Sequence, residues 1–246
     1  MATPALFSFP FNALVPMNLP IDVIAKITFA PLLIHQGRQV RRTALLLPEP
    51  PGQRDGQAGA GNNRLLILGD SSAAGVGAAH QSEALSGQLS RLLGPNHYWR
   101  LEAKTGATTA SIGAHLDGLE GQRFDTALIV LGVNDITNMV PLRRLLAQRS
   151  TLYRRLQIDH GVTRVVVSGL PPMRHFPLLP QPLRWVLGAQ ADRFDAALAK
   201  QAQALGHTYI RHHIPFNPAL MARDGFHPAA AAYRLWALSL APHLRA

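Results

Sequence analysis

Leu65-Leu66-Ile67-Leu68-Gly69-Asp70-Ser71-Ser72 is the stretch whose reading decides the fold. An unbroken apolar run that stops at Gly-Asp-Ser reads as a strand buried on both faces and ending in a tight turn. Such strands belong to parallel sheets, and ligands sit beyond the carboxyl ends of those strands. Ser71 is therefore presented to a crevice and is a candidate nucleophile. A lone serine there most often only caps the turn. Two distant pieces raise its standing: Gly132-Val133-Asn134-Asp135 and Asp224-Gly225-Phe226-His227.

Working outward, apolar runs alternate with helix-like segments. Strands are expected at Arg64–Leu68, Tyr98–Ala103, Thr126–Leu131, Arg164–Val167 and Thr208–Arg211. Helices are expected at Ser82–Leu93, Thr109–Leu116, Leu142–His160, Arg184–Leu205 and Pro228–Leu240. Strands separated by helices of this length imply right-handed βαβ units, and so one α/β domain with a doubly wound parallel sheet in three layers. The Pro/Gly-rich stretch Pro48–Gly61 reads as a surface loop or linker. The expected division is an N-terminal apolar segment with linker over 1–62 and the main domain over 63–246.

The chain has 246 residues, of which 47% are hydrophobic and 15% charged, so it has the composition of a globular protein. It has no cysteine, which excludes disulfides, thiolate metal sites and a cysteine nucleophile. The formal net charge is +10. Two readings of that charge stand: arginine spread over a solvated surface, or attraction to an anionic partner. No basic run interleaved with aromatics forms a nucleic-acid module, so no nucleic acid is expected. Residues from Phe7 to Ile34 are mostly apolar, yet Asn12, Asn18, Asp22, Lys26 and prolines interrupt them. Neither a spanning helix nor a secretory signal fits, because the first basic residue is Lys26. The segment around Ile21–Ile34 either packs on the domain or lies on a lipid surface, anchored by Arg38, Arg41 and Arg42. The expectation is a cytoplasmic protein with peripheral membrane contact as the alternative.

The polar material gathers at strand ends: Gly69-Asp70-Ser71, Lys104-Thr105-Gly106 and Gly132-Val133-Asn134-Asp135. The fourth piece precedes the last helix, with Pro228 at its first position and His227 at or near its N-cap. Asp224, three residues upstream, can turn back to an imidazole nitrogen. Serine needs a base to remove its proton, and neutral histidine is that base near neutral pH. A carboxylate on the other ring nitrogen fixes the tautomer, and an amide side chain or glycine-turn N–H groups can receive an oxyanion.

These four blocks, in this order, resemble those of the SGNH, or GDSL-type, hydrolases, over about Leu65 to Trp236. The resemblance implies a flavodoxin-like sheet. It implies Ser71 as nucleophile, His227 as general base and Asp224 as its orienting carboxylate. It implies an oxyanion hole from the N–H groups of Ser71 and Gly106 and the Asn134 amide. One departure is Ser72, where the family usually has leucine; the pattern Gly-Asp-Ser-Ser-Ala-Ala-Gly-Val-Gly is similar to bacterial lysophospholipase-like and arylesterase-like members. The implied activity is hydrolysis of a small-molecule or lipid ester, with no metal or organic cofactor. A thioesterase, a carbohydrate deacetylase or an acyltransferase would use the same residues, and a non-catalytic basic lipid- or anion-binding protein is the rival from another class.

Rival motifs are missing: there is no Gly-x-Ser-x-Gly elbow and no Walker A sequence. Asp70 and Asp135 read as structural. His212-His213 lacks a third ligand at a usual spacing and is not read as a metal site. The loop after the fourth strand, Leu170–Pro180, is apolar and proline-stiffened, and it either packs as a plain connection or forms an acyl wall. Met173, Phe176, Leu178 and Leu179, with Trp185, are the candidate lining residues.

Overall fold

The computed structural model describes residues 19–60, 62–212, 214 and 217–245. Six strands form one sheet: β1 (Asp55–Ala58), β2 (Asn63–Gly69), β3 (His97–Ala103), β4 (Thr126–Val130), β5 (Arg164–Ser168) and β6 (Thr208–Ile210). Their order is β1-β3-β2-β4-β5-β6. Strands β2 to β6 run parallel, and β1 adds antiparallel to the edge at β3. Without β1 the order is that of a flavodoxin-like sheet, whose direction of winding reverses between β2 and β4.

Alternation along each strand builds two cores. Leu65 and Ile67 of β2 face one side, with Leu128 and Val130 of β4 and Val166 of β5. Leu66 and Leu68 face the other, with Ala127, Ile129, Val165 and Val167. Both sides are covered, so β2 has to be apolar throughout, and Leu66, Ile67 and Leu68 are fully buried. Burying each stabilises the fold by about 1.5–3 kcal/mol relative to exposure.

The helices are α1 (Ile21–Thr28), α2 (Ala30–Thr43), α3 (Ser71–Ala74), α4 (Leu85–Leu93), α5 (Thr109–His115), α6 (Val133–Thr137), α7 (Leu142–His160), α8 (Leu183–Ala204) and α9 (Ala230–Leu240). Leu85 and Leu89 of α4 and Tyr233, Trp236 and Leu240 of α9 close the first face. Ile112 of α5, Leu152, Tyr153 and Leu156 of α7 and Ala202 of α8 close the second. Among the described residues no helix is long and apolar enough to cross a membrane.

The structure departs from the sequence reading at two places. Asp55–Ala58, inside the stretch read as linker, is the edge strand, so the sheet begins before residue 63. The last helix starts at Ala230, two residues after Pro228. Residues 227–229 are instead held extended: the N–H of Ala222 donates to the His227 carbonyl and that of Ala229 to the Leu220 carbonyl, with a bridge between Met221 and Pro228. His227 is therefore not a helix cap. The segment Ile21–Thr43 forms two helices, which pack on α8, in line with the reading that it packs on the domain. The more N-terminal part of the apolar segment, residues 1–18, lies outside the described residues.

Parallel pairing sets Gly69 opposite both Ala103 and Val130. Three strands thus end at one level, and the Asp70 N–H still reaches the Val130 carbonyl at 3.2 Å. A Cβ on Gly69 would stand 2.1 Å from the Ala73 Cβ and 2.8 Å from the Val130 oxygen. Gly69→Ala is expected to destabilise the fold by about 1–3 kcal/mol, read as a lowered urea midpoint with unchanged slope.

Candidate active site

Ser71 opens the short helix α3 directly after β2. Asp70 caps that helix, its Oδ1 accepting from the Ser72 N–H at 3.0 Å and from the Ser72 hydroxyl at 2.7 Å. Ser72 thus satisfies a buried carboxylate whose pKa is pushed up by burial and pulled back by Ser72. The Ser71 side chain is held beside the sheet edge and is mostly buried.

His227 reaches it from the other end of the chain. Its Nε2 lies 2.8 Å from Ser71 Oγ, and its Nδ1 lies 2.6 Å from Asp224 Oδ2. A carboxylate only accepts, so Nδ1 carries the proton and Nε2 is left to accept from the Ser71 hydroxyl. Asp224 Oδ1 accepts from the N–H groups of Phe226 and His227, both at 3.0 Å. Burial raises the Asp224 pKa, but the His227 ring and these two N–H groups outweigh it, so the carboxyl lies below its ordinary range.

Asn134 stands in α6, just after β4. The turn before it needs Gly132, whose φ is 131°, and a Cβ there would meet Leu170 Cδ2 at 2.6 Å. Asn134 Nδ2 donates to the Ala107 carbonyl at 3.0 Å, which brings the amide against the Gly106–Ala107 turn. Gly106 is exposed, with φ 81°. The Asn134 amide is thus tied to the residue that follows Gly106.

Asp135, read as structural from the sequence, holds this corner with two groups that the sequence reading did not name. Asp135, fully buried, accepts from the Thr109 N–H and hydroxyl, tying α6 to the start of α5. Burial pushes its pKa up, while Arg149 and Thr109 act the other way. Arg149 is also fully buried, and its Nη2 donates to the Leu131 carbonyl at 2.7 Å. Glu49 accepts from the Thr105 N–H at 2.7 Å and hydroxyl at 2.8 Å, bracing the turn next to Gly106. No local motif surrounds Glu49 or Arg149; only the adjacency of Asp135 to Asn134 was a signal.

A mostly apolar pocket opens beside Ser71 and His227. Phe176 lines it as expected, in edge contact with Phe226, whose ring also meets His227. The other candidates do not line it. Met173 and Leu179 point into the core with Leu183 and Leu187 of α8, because that loop must cover the apolar face of α8. Leu178 packs by Gly225, and Trp185 is exposed on α8. Met221, Ile214, Leu170 and Trp236 take their place. Phe226 and Met221 were legible as apolar neighbours of Asp224 and His227. Ser168 lines the pocket floor, its Oγ accepting from Trp236 Nε1 at 3.0 Å. His212 packs on Trp236, and His213 lies outside the described residues. Among the described residues no three His, Asp or Glu side chains converge as metal ligands.

Residues 67–235 match the GDSL-like lipase/acylhydrolase family. The chain is 30% identical over 184 residues to the GDSL-like esterase Rv1075c of Mycobacterium tuberculosis, covering 70% of this chain and 58% of that protein. It thus spans little more than half the length of that relative. The fold is similar to that of TesA, at 23% identity and TM-score 0.58, over 74% of this chain and 98% of TesA. It is also similar to the psychrotrophic esterase EstA from Pseudoalteromonas sp., at 20% identity and TM-score 0.58, over 72% and 94%. Axe2, an acetylxylan esterase from Geobacillus stearothermophilus, superposes at 17% identity and TM-score 0.59, over 77% and 96%.

The lowered Asp224 pKa has a thermodynamic sign. A carboxyl depressed in the folded state contributes stability above its unfolded pKa, and that contribution is lost as pH falls through the folded value. Urea unfolding of wild type and Asp224→Asn should therefore converge between about pH 5 and pH 2, with wild type losing stability more steeply. Parallel pH curves would contradict the bond pattern at Asp224.

Proposed function

The chain belongs to the GDSL-like lipase/acylhydrolase family, and from that premise we propose that it is a serine carboxylester hydrolase working through an acyl-enzyme on Ser71. The observation that carries this reading is the continuous hydrogen-bond path from Ser71 Oγ through His227 to Asp224. A non-catalytic binding protein has no use for an imidazole poised on a serine and oriented by a buried carboxylate.

The hydrogen-bond path supports the following steps. Ser71 Oγ attacks the acyl carbonyl as His227 Nε2 takes the hydroxyl proton. The carbonyl oxygen becomes an oxyanion, received by the N–H groups of Ser71 and Gly106 and by Asn134 Nδ2. Asp224 stabilises the imidazolium through the Nδ1 proton. Collapse breaks the bond to the alcohol, which leaves with the proton from Nε2. Water then attacks the acyl-enzyme, giving a proton to His227. The acid departs, and that proton returns to Ser71 Oγ.

The pocket beside Ser71 favours an apolar acyl or alkyl group over a sugar, since Phe176, Phe226, Met221 and Leu170 offer no hydrogen bonds to hydroxyls. The proposed substrate class is therefore an ester with an aliphatic chain.

A panel of p-nitrophenyl esters from acetyl to octanoyl tests this. Wild type should hydrolyse them, Ser71→Ala should not, and Asn134→Ala should lose about 10²–10³ in kcat. No turnover by wild type, or equal turnover by Ser71→Ala, would overturn the proposal. Phe176→Ala should alter the octanoyl-to-acetyl ratio of kcat/KM by about 10-fold or more, whereas Leu178→Ala should leave it unchanged.

A further inference from the structure

Helix α1 is amphipathic in the reverse sense for a helix at a water-facing surface. Its charged side chains point inward. Asp22 is only 2% exposed and pairs with Arg193 of α8 through two bonds, Oδ1 to Nε at 3.1 Å and Oδ2 to Nη2 at 2.7 Å. Lys26 bonds the Gln190 side chain, and burial draws its pKa down to about 8 against the pull of Asp22. The isoleucines point outward: Ile21 is 67% exposed, Ile24 49% and Ile27 69%. Phe29 and Leu32 extend this apolar strip across the junction with α2.

The orientation is set from both sides. Arg193 and Gln190 give α8 a polar receiving surface, so the helix cannot turn its isoleucines inward without stranding buried Asp22 and Arg193. Helix α2 continues the arrangement. Leu33 and Val40 pack on the core, and Gln36 bonds the Leu183 N–H and the Gln181 carbonyl. Ile34, Arg38 and Arg42, four residues apart, form a stripe on the opposite side. No acidic side chain stands in the first turn of α2, and the only charged residues in the helix are Arg38, Arg41 and Arg42.

We propose that this face of α1 and α2 is a membrane-docking surface for anionic lipid, with the isoleucines entering the acyl boundary and Arg38 and Arg42 meeting the headgroups. An exposed apolar strip flanked by cations complements a lipid surface of negative charge. The net charge of +10 acts in the same direction. Residues 1–21 contain no Asp, Glu, Lys or Arg. The face is also tied to the site: Arg41 donates to the Thr137 carbonyl at the end of α6, which carries Asn134, and Gln36 holds the end of the loop that carries Phe176.

Sedimentation of the full chain with phosphatidylcholine vesicles containing roughly one-third phosphatidylglycerol tests this. Wild type is expected to sediment with them, less so as salt is raised. Ile24→Asn with Ile27→Asn should weaken binding by about 10-fold or more, and each of Arg38→Gln and Arg42→Gln by about 5-fold. These positions face outward, so the thermal midpoint should stay unchanged and exclude unfolding as the cause. Ser71→Ala should bind as wild type, which separates docking from catalysis. Wild type left in the supernatant, or undiminished binding by the double isoleucine variant, overturns the proposal. A wild-type dimer that the double variant converts to monomer, with no vesicle binding by either, overturns it in favour of a second copy of the chain.

Discussion

The register of β2 against its two neighbours is the constraint on which the site depends. Gly69 lies opposite Ala103 on one side and Val130 on the other. The chain leaves all three strands at one level, and Ser71, Gly106 and Asn134 stand within a few residues of those strand ends. Slipping a strand by one residue would exchange its two faces and bury the wrong set of side chains. Because β2 is apolar on both sides, its register is held by side-chain fit and by the close approach of Gly69 to Ala73 and to the Val130 carbonyl. The winding of the sheet also reverses between β2 and β4, which opens the crevice there.

His227 arrives by a different device. It is not on a helix or a strand of the sheet but on a segment held extended against residues 220–222. Asp224 organises that segment by accepting from two backbone N–H groups and from the imidazole it orients. One carboxylate therefore fixes both the loop and the tautomer. On the opposite side, Asp135 and Arg149 do related work beneath Asn134. Both are enclosed, Asp135 bonding Thr109 and Arg149 bonding the Leu131 carbonyl. Their value is positional, since these bonds tie α6 to α5 and α7 to the end of β4.

Much of this was legible in the sequence. Strands β2, β4 and β5 follow from apolar runs ending in glycine or polar residues, because double-sided burial leaves a strong signal, and the four blocks were read together through the family resemblance. What escaped lacks such a signal. Asp55-Gly56-Gln57-Ala58 has no β-branched residue, and its pairing with β3 supplies what propensity does not. Glu49 and Arg149 act through tertiary contacts that no local pattern announces. The loop after β5 is apolar for two reasons at once: Phe176 faces the pocket, while Met173 and Leu179 cover α8. Composition alone does not separate those uses. The N-terminal segment was legible as apolar and interrupted, but only the structure reveals that Asp22 and Lys26 face inward.

Sheet register is expected to set Ser71, Gly106 and Asn134, and the segment of residues 220–229 to set His227, around one reacting carbon. A crystal structure of the chain after reaction with an alkyl phosphonate ester tests it most directly. The expected result is phosphorus bonded to Ser71 Oγ. Its phosphoryl oxygen should lie within about 2.7–3.1 Å of the Ser71 N–H, the Gly106 N–H and Asn134 Nδ2. Its alkyl chain should lie against Phe176 and Phe226. An unmodified Ser71, or an adduct whose phosphoryl oxygen points away from Gly106 and Asn134, would contradict the account.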